Sequence, residues 1–244
     1  MSKLKNTLAD ITSRYKLLDV IGSGSYGTVQ CAKRLKDNAL VSIKTVRKTH
    51  KDPSEIYFLN KLKNVEEVIS LFEYRVCRDG YILIMEYFKT DLFDFWDKNF
   101  PLPKPTIKRI LFQIVEICTT LFRLNVYHGD LKMENIVIRP ETLKIKLIDF
   151  GSAGYINEKR KICGTKHYLP PEYHELRIYK PENALVWSIG IILLELVPGE
   201  SAKDYTLSRR SAKMFCNVID QCLTIDYVKR IKLNELKNAI KDFQ

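Results

Sequence analysis

The chain has 244 residues, of which 45% are hydrophobic, and it carries a formal net charge of +11. This is enough apolar sequence for one continuous core, and the length suits a unit of two lobes around a cleft. We expect no secretory leader and no membrane span, because the first residues lack an apolar segment and no eighteen apolar residues run uninterrupted.

The cysteines and the basic charge narrow the protein class further. The six cysteines stand singly without a CxxC pair, which argues against a zinc site or a disulfide framework and favours the cytoplasm or the nucleus. Because the lysines are spread along the chain, the charge indicates a solvated surface rather than a nucleic-acid site. We therefore expect a monomer with no membrane or nucleic-acid partner.

Short β-rich runs dominate the sequence before Tyr87 and predict an antiparallel sheet. The predicted strands are Tyr15 to Ile21, Gly27 to Ala32, Leu40 to Thr45 and Tyr81 to Glu86. Residues 53–62 interrupt this pattern with apolar side chains at helical spacing, and Asp52 before Pro53 is suited to cap a helix there. One helix is therefore predicted to cross the sheet.

After Tyr87 the apolar residues recur at helical spacing. An i, i+3, i+4, i+7 stripe from Ile107 to Leu124 predicts a helix that is buried along its length. Further helices are predicted at Asp91 to Asn99, Glu182 to Leu196, Ser208 to Leu223 and Leu233 to Phe243. The expected fold class is α+β, with a small antiparallel β lobe containing one helix and a larger, mainly α lobe.

A glycine-rich segment, residues 21–29, contains the pattern GxGxxGxV from Gly22 to Val29, between two predicted strands. Small residues let backbone amides approach phosphate oxygens closely. Alone this is weak evidence, since dinucleotide-binding folds also use GxGxxG, but there the segment leads directly into a helix. Here a predicted strand follows instead.

Three further motifs carry polar groups suited to phosphate chemistry. Lys44 follows strand-forming residues, HxDxKxxN occupies residues 128–135, and Asp149 begins an Asp-Phe-Gly run after an apolar stretch. A lone strand lysine is ordinarily a surface residue. Together, however, the motifs supply the carboxylate, the oxygen ligands and the lysine that phosphoryl transfer requires.

The ordered motifs resemble the eukaryotic protein kinase family over residues 15–231. They are the glycine-rich loop, Lys44, HxDxKxxN at 128–135, DFG at 149–151 and Pro-Pro-Glu at 170–172. The resemblance implies a protein kinase fold with an N-terminal extension and two lobes. The implied boundaries are 1–14 for the extension and 15–244 for the kinase domain, divided into an N-lobe at 15–86, a hinge at 87–90 and a C-lobe at 91–244.

The resemblance also implies ATP and Mg²⁺ as cofactors. Lys44 would hold the α- and β-phosphates, Asp130 would orient the substrate hydroxyl, and Lys132 would reach the γ-phosphate. Asn135 and Asp149 would bind Mg²⁺, which prefers hard oxygen ligands. The other implied nucleotide contacts are Ile21, Gly22, Gly24, Gly27, Val29, Ser42, Met85, Glu86, Phe88 and Val137.

Glu55 has two interpretations. The family pattern makes it the ion-pair partner of Lys44. Because it follows Asp52 by three residues, it could instead be the N3 member of a capping box at the start of the helix. We favour the ion pair, and the sequence leaves the alternative open.

Lys132 and Thr165 are typical of kinases that act on Ser and Thr. Several segments look like the Pim kinases: Leu147 to Ala153, Gly164 to Glu172, Asp91 to Phe95 and Val186 to Gly190. That subfamily acts on sites with upstream arginines, which acidic side chains can pair. The expected substrate contacts are Asp91, Asp94, Glu134 and Thr165, and Asp91 is equally suited to cap its own helix.

Some positions depart from the family. Gly129 replaces the arginine that usually pairs with a phosphorylated activation segment, and Ser152 and Tyr155 are the only hydroxyl residues between Gly151 and Gly164. Without that cation a phosphate has no partner, so we predict constitutive activity.

Three further positions bear on the larger lobe. Leu185 stands where most kinases place an Asp beneath the catalytic loop, and residues 198–211 are shorter than usual, which suggests a compact, virus-encoded enzyme. Arg230 is expected to form a buried ion pair with Glu172.

These features predict a Ser/Thr protein kinase that is constitutively active and prefers basic protein sites. The alternative is a pseudokinase scaffold or nucleotide-binding regulator, which keeps the fold and works by binding partners. Loss of Lys44, Asp130 or Asp149 would favour that alternative, and all three are present.

Overall fold

The chain divides between Lys89 and Thr90 into two units, residues 1–89 and 90–244. The computed structural model describes residues 10–24, 27–47, 54–77, 79–158, 164–176, 180–197 and 209–241. The first unit consists of one sheet with a helix, and the second is mainly helical. This composition confirms the predicted α+β class, while the predicted domain boundaries stay a prediction.

The first unit contains a five-stranded antiparallel sheet in the order β1-β2-β3-β5-β4. Its strands are β1 (Tyr15–Gly24), β2 (Gly27–Arg34), β3 (Leu40–Arg47), β4 (Leu71–Cys77) and β5 (Gly80–Glu86). Four of them were predicted, and the structure extends each by one to three residues. The edge strand β4 was missed, although its alternating apolar and charged residues are a strand signal. The alternation is inverted, because Phe72, Tyr74 and Val76 are exposed.

A small core covers one face of this sheet and includes a residue from before β1. Ile11 and Tyr15 are buried together with apolar residues of β2, β3 and β5. Arg14 fixes the same segment, because its guanidinium donates to both carboxylate oxygens of Glu73 at 2.7 and 2.9 Å. The described part of the predicted extension is therefore packed on the sheet.

Helix α1 (Ser54–Lys61) lies between β3 and β4 in sequence. It buries Glu55, Ile56, Phe58 and Leu59, which repeat at the spacing of one helical face. The prediction of a helix at 53–62 is confirmed over these residues. The proposed N-cap Asp52 and the following Pro53 lie outside the described residues.

The second unit carries two small antiparallel sheets, ordered β6-β8-β9 and β10-β7, beside its helices. The strands are β6 (Thr90–Asp91), β7 (Val126–Tyr127), β8 (Ile136–Arg139), β9 (Lys144–Leu147) and β10 (Gly154–Tyr155). The helices are α2 (Leu92–Asn99), α3 (Lys104–Arg123), α4 (Pro171–Leu176), α5 (Pro181–Leu196), α6 (Arg209–Cys222) and α7 (Leu233–Lys241). Every predicted helix is present, and residues 208 and 242–244 lie outside the described ranges.

The apolar stripe of α3 is buried as predicted, with Ile107, Ile110, Ile114 and Leu121 at most 1% exposed. Its last member was assigned wrongly, because the helix ends at Arg123 and Leu124 is a 43% exposed cap residue. Helix α5 is buried along most of its length and therefore forms the centre of this unit. Within the described part of the chain, no helix has the length and hydrophobicity to cross a membrane.

Candidate active site

The glycine-rich segment forms the hairpin between β1 and β2. Gly22 faces Val29 and Gly24 faces Gly27, while residues 25 and 26 lie outside the described ranges. Gly27 has a φ of 156°, and a Cβ there would lie 1.9 Å from the backbone oxygen of Thr45. Only glycine therefore allows β2 to approach β3 at this point.

Lys44 and Glu55 form an ion pair inside the first unit. The Nζ of Lys44 donates to the Oε1 of Glu55 at 2.7 Å, and Glu55 is 2% exposed. A carboxylate so deeply buried is stabilised only when a cation or several donors compensate its lost hydration. Of the two interpretations of Glu55, the structure favours the ion pair with β3.

The expected adenine contacts on β3 and β5 lie side by side. Ser42 faces Met85 across the two strands, and both are buried, as is Phe88. The N–H of Glu86 donates to the backbone oxygen of Ser70 at 2.9 Å, so this N–H is already engaged within the first unit. Of the remaining expected contacts, Ile21 is on β1, Val29 is on β2, and Val137 is buried in β8 of the second unit.

In the second unit, His128 joins the segments that carry Asp130 and Asp149. Its Nδ1 accepts the backbone N–H of Asp130 at 3.3 Å, and its Nε2 lies 2.8 Å from the carbonyl of Ile148. A carbonyl only accepts, so Nε2 carries the proton and the ring is neutral. Burial lowers the pKa of His128 below its ordinary value, consistent with this state, and the ring packs edge-on against Phe150.

Asp130 lies at the centre of a polar cluster. Its Oδ1 accepts the backbone N–H of Thr165 at 2.7 Å, and its Oδ2 accepts from the side-chain amide of Asn135 at 3.2 Å. The Nζ of Lys132 lies 3.9 Å from the same Oδ2. The structure thus brings together the four predicted residues Asp130, Lys132, Asn135 and Thr165. A carboxylate held in this way can orient a hydroxyl and accept its proton.

Asn135 and Asp149 have the donor chemistry expected of Mg²⁺ ligands. The amide nitrogen of Asn135 is turned toward Asp130, which directs its oxygen elsewhere. Asp149 has a left-handed backbone, with φ 61° and ψ 70°, and its Oδ1 lies close to Gly151. The described residues contain no cluster of three or more His, Cys, Asp or Glu that could hold a metal. An amide oxygen and a carboxylate are hard ligands of the kind that Mg²⁺ takes together with phosphate and water, and the assignment of both residues as its ligands stays a prediction.

Gly129 places the loop that carries Asp130 against the residues after Asp149. Its φ is 83°, and a Cβ there would lie 2.1 Å from the backbone oxygen of Ser152. No side chain fits without moving the backbone, and the left-handed φ adds strain for any other residue. Where the family usually has an arginine, this chain has a close approach between the backbone of Gly129 and that of Ser152.

A cavity lies beneath this loop, between residues 127–131, residues 164–169 and the first half of α5. Leu185 lines it and contributes no acceptor for the loop. The hydroxyl of Ser188, on the next turn of α5, lies 3.0 Å from the backbone oxygen of Tyr168. Helix α5 therefore supports the segment after Thr165 through Ser188.

The predicted substrate-binding carboxylates lie at the start of α2 and after Asp130. Asp91 is the N-cap of α2, because its Oδ1 accepts the N–H of Asp94 at 2.8 Å. Burial raises the pKa of Asp91, and the negative charges of Asp94 and Glu134 add to the increase while the cap bonds oppose it. The capping role is observed, and the arginine-binding role stays a prediction.

Glu195 is a carboxylate that sequence reasoning missed. Its Oε2 accepts from the hydroxyl of Tyr168 at 2.8 Å, and its Oε1 lies 3.5 Å from Nε2 of His167. Burial raises its pKa, the contacts with Tyr168 and His167 oppose the increase, and the charge of Glu134 adds to it. As the only charged residue in the apolar run 189–196, it was detectable from the sequence.

Glu172 and Arg230 form the expected ion pair. Two nitrogens of Arg230 donate to the two carboxylate oxygens of Glu172 at 2.7 and 2.8 Å, and Arg230 is 1% exposed. The guanidinium also lies over the ring of Trp187, 4.8 Å from its centroid. The pair ties the start of α4 to the segment before α7, which is a structural role.

Comparison with known proteins identifies the class. Residues 15–243 match the protein kinase domain, so the chain belongs to the protein kinase family. It is 30% identical over 257 residues to serine/threonine-protein kinase prk-2 of Caenorhabditis elegans, covering 92% of this chain and 57% of that protein. It is 34% identical over 200 residues to putative sperm motility kinase W of Mus musculus, covering 78% of this chain and 39% of that protein.

A Pim kinase is among the relatives. The chain is 27% identical over 224 residues to serine/threonine-protein kinase pim-2 of Danio rerio, covering 81% of this chain and 72% of that protein. The chain spans 57% and 39% of the lengths of prk-2 and kinase W. The viral origin expected from the sequence gains no support from these relatives.

The buried neutral His128 predicts a pH dependence of stability. Its pKa is lowered in the folded protein, so below about pH 6.5 the unfolded chain gains a proton that the folded chain does not, and stability falls. His128→Asn keeps a donor and an acceptor but cannot titrate. In urea unfolding between pH 7 and pH 5, this variant should lose less stability than the wild type. The control is His174→Asn, at an exposed histidine, and an unchanged pH dependence in His128→Asn would contradict the assignment.

The contact between Gly129 and Ser152 predicts that even a methyl side chain at position 129 strongly destabilises the fold. Gly129→Ala should lower the free energy of unfolding by more than about 2 kcal/mol, since strain and a clash with backbone act together. Gly22→Ala is the matched control, because a Cβ there meets nothing closer than 3.7 Å. If chemical denaturation shows the same loss of unfolding free energy for both variants, the backbone near Ser152 can move to accept a Cβ and the prediction is wrong.

Proposed function

We propose that this chain is a Ser/Thr protein kinase that transfers the γ-phosphate of ATP to Ser and Thr hydroxyls of proteins. The arrangement around Asp130 carries the proposal, because its carboxylate contacts both the predicted metal ligand Asn135 and the backbone of Thr165. Membership of the protein kinase family and the names of the relatives support it.

The proposed roles follow the order of the reaction. Lys44, held by Glu55, pairs with the α- and β-phosphates, and Lys132 with the γ-phosphate. The oxygen of the substrate hydroxyl forms a bond to the γ-phosphorus while Asp130 accepts the proton of that hydroxyl. The bond between the γ-phosphorus and the β–γ bridging oxygen breaks at the same time, and ADP is released. Bound Mg²⁺ would neutralise phosphate charge.

The remaining assignments concern the nucleotide and the metal. Asn135 and Asp149 are the proposed ligands of Mg²⁺, through the amide oxygen and the carboxylate. The phosphates are assigned to the glycine-rich hairpin between β1 and β2, and the adenine to Ser42 on β3 and Met85 on β5. Ser42, a serine at a buried position, adds one oxygen to an otherwise apolar surface. We expect it to reduce apolar contact only slightly.

We propose that the kinase is active without phosphorylation. Three contacts that hold the chemical groups are already formed: Lys44 with Glu55, Asp130 with the Thr165 N–H, and Gly129 against Ser152. The position of Gly129 offers no cation to a phosphate, so phosphorylation of a nearby hydroxyl would have no obvious partner there. Backbone packing replaces a charge-dependent switch in this proposal.

Substrates with basic residues are proposed from the carboxylates of the second unit. The negative charge of Glu134 contributes to the raised pKa of both Asp91 and Glu195, so these carboxylates interact electrostatically with Glu134. Such a group of negative charges on a chain of net charge +11 would attract an arginine and form charge-assisted hydrogen bonds with it.

We also propose that the protein acts as a monomer in the cytoplasm or nucleus. The isolated cysteines support a reducing compartment. The alternative function, a pseudokinase scaffold or nucleotide-binding regulator, predicts nucleotide binding without transfer. The first experiment below separates the two.

The decisive experiment measures phosphate transfer from labelled Mg·ATP to a serine peptide with upstream arginines, using phosphatase-treated protein. The wild type should turn over, and Asp130→Asn should reduce kcat by about a hundredfold or more, as loss of a general base does. Asp130→Asn should still bind ATP, which serves as its folding control. Absence of turnover by the wild type with ATP bound would favour the scaffold.

A second experiment tests the basic preference. Asp91→Asn preserves a capping side chain while removing its charge, so it separates the two roles of this residue. Asp91→Asn, Glu134→Gln and Glu195→Gln should each raise the KM for the arginine peptide by about fivefold or more, the scale of one charge-assisted hydrogen bond. The KM for a matched peptide with alanine in place of arginine is the control. Equal effects on both peptides would exclude arginine recognition by these carboxylates.

A further inference from the structure

The carboxylate of Glu55 is held on both of its oxygens. Lys44 donates to Oε1 at 2.7 Å, and the hydroxyl of Tyr81 donates to Oε2 at 3.3 Å. Sequence reasoning assigned Tyr81 only to a strand. The structure brings its hydroxyl to the residue expected to position the phosphate-binding lysine.

Strand geometry explains how two donors reach one carboxylate. Tyr81 on β5 faces Val46 on β3, and Leu83 faces Lys44. Because side chains alternate along a strand, Lys44 and Tyr81 leave the same face of the sheet from adjacent strands. Glu55 is in the first turn of α1, so the helix is fixed to both strands through one side chain.

The second donor has an energetic reason. Glu55 is 2% exposed, so its carboxylate has exchanged almost all of its hydration for contacts within the protein. An ion pair alone leaves a carboxylate able to rotate about its last bond, whereas a donor on each oxygen fixes the plane of the group. Fixing that plane also fixes the direction from which Lys44 approaches.

We propose that Tyr81 is a positioning residue for the Lys44–Glu55 pair, acting through its hydroxyl on Oε2 of Glu55. The proposal rests on the proposed kinase function, since the pair matters through the phosphates that Lys44 binds. Tyr81 orients the carboxylate, the carboxylate orients the ammonium group, and the same contacts fix α1 to the sheet. Tyr81 itself touches no reacting atom.

Tyr81→Phe removes the hydroxyl and keeps the ring. It should lower kcat/KM for ATP by roughly three- to tenfold, the range expected for a long hydrogen bond to a charged group, with the peptide KM unchanged. The matched control is Tyr74→Phe, which removes a hydroxyl from an exposed tyrosine of β4. In a Glu55→Met background, which has no side-chain oxygen for Tyr81 to contact, Tyr81→Phe should have less than about a twofold effect, since a residue that acts through Glu55 has no further target there.

An unfolding cycle separates this proposal from the kinase function. The free energy of unfolding of the wild type, Tyr81→Phe, Glu55→Met and the double variant should show coupling equivalent to about threefold or more in the unfolding constant. If the wild type transfers no phosphate but the coupling is present, the kinase proposal fails and the contact stands. Absence of coupling, or coupling with an unchanged kcat/KM in an active kinase, overturns the positioning role.

Discussion

The two hydrogen bonds of His128 are the constraint on which the second unit's functional residues depend. The imidazole accepts from the backbone N–H of Asp130 and donates to the carbonyl of Ile148. It therefore fixes the distance between the loop that carries Asp130 and the end of β9. Both bonds require a neutral ring with its proton on Nε2, and burial lowers the pKa and maintains that state. From this anchor, Asp130 reaches Thr165 and Asn135, while Phe150 packs against the ring. The geometry around Asp130 is therefore set by backbone segments that one buried imidazole connects.

The first unit solves a similar problem with charge. A buried carboxylate would destabilise the fold if it were left alone, so Glu55 is compensated by donors from neighbouring strands. The same contacts fix α1 relative to β3 and β5, which links the stability of the sheet to the orientation of Lys44. The two units thus use different means for one purpose, because each holds its polar groups in place through contacts within the unit.

Motif residues whose chemistry allows few substitutes could be singled out from the sequence, although the roles assigned to them stay predictions. Lys44, Asp130, Asn135 and Asp149 belong to motifs in which spacing and residue type are both restricted, and the long stripe of α3 fixed a buried helix. Residues that act through tertiary contacts were not predictable. Tyr81 and Glu195 matter because of partners distant in sequence, Ile11 is buried by strands that follow it, and β4 exposes the face that its pattern would bury. Gly129 was recognised as a departure, but its contact with Ser152 needed the structure.

The close approach of Gly129 to Ser152 also limits how this protein can change over evolution. The family resemblance places an arginine beside Asp130 in kinases with a phosphate-dependent switch, and here the backbone of Ser152 occupies the space where that side chain would begin. A single codon change would therefore disrupt the packing before it could provide regulation. An arginine at position 129 would require compensating shifts in the segment after Asp149, so this contact restricts which substitutions the position can accept.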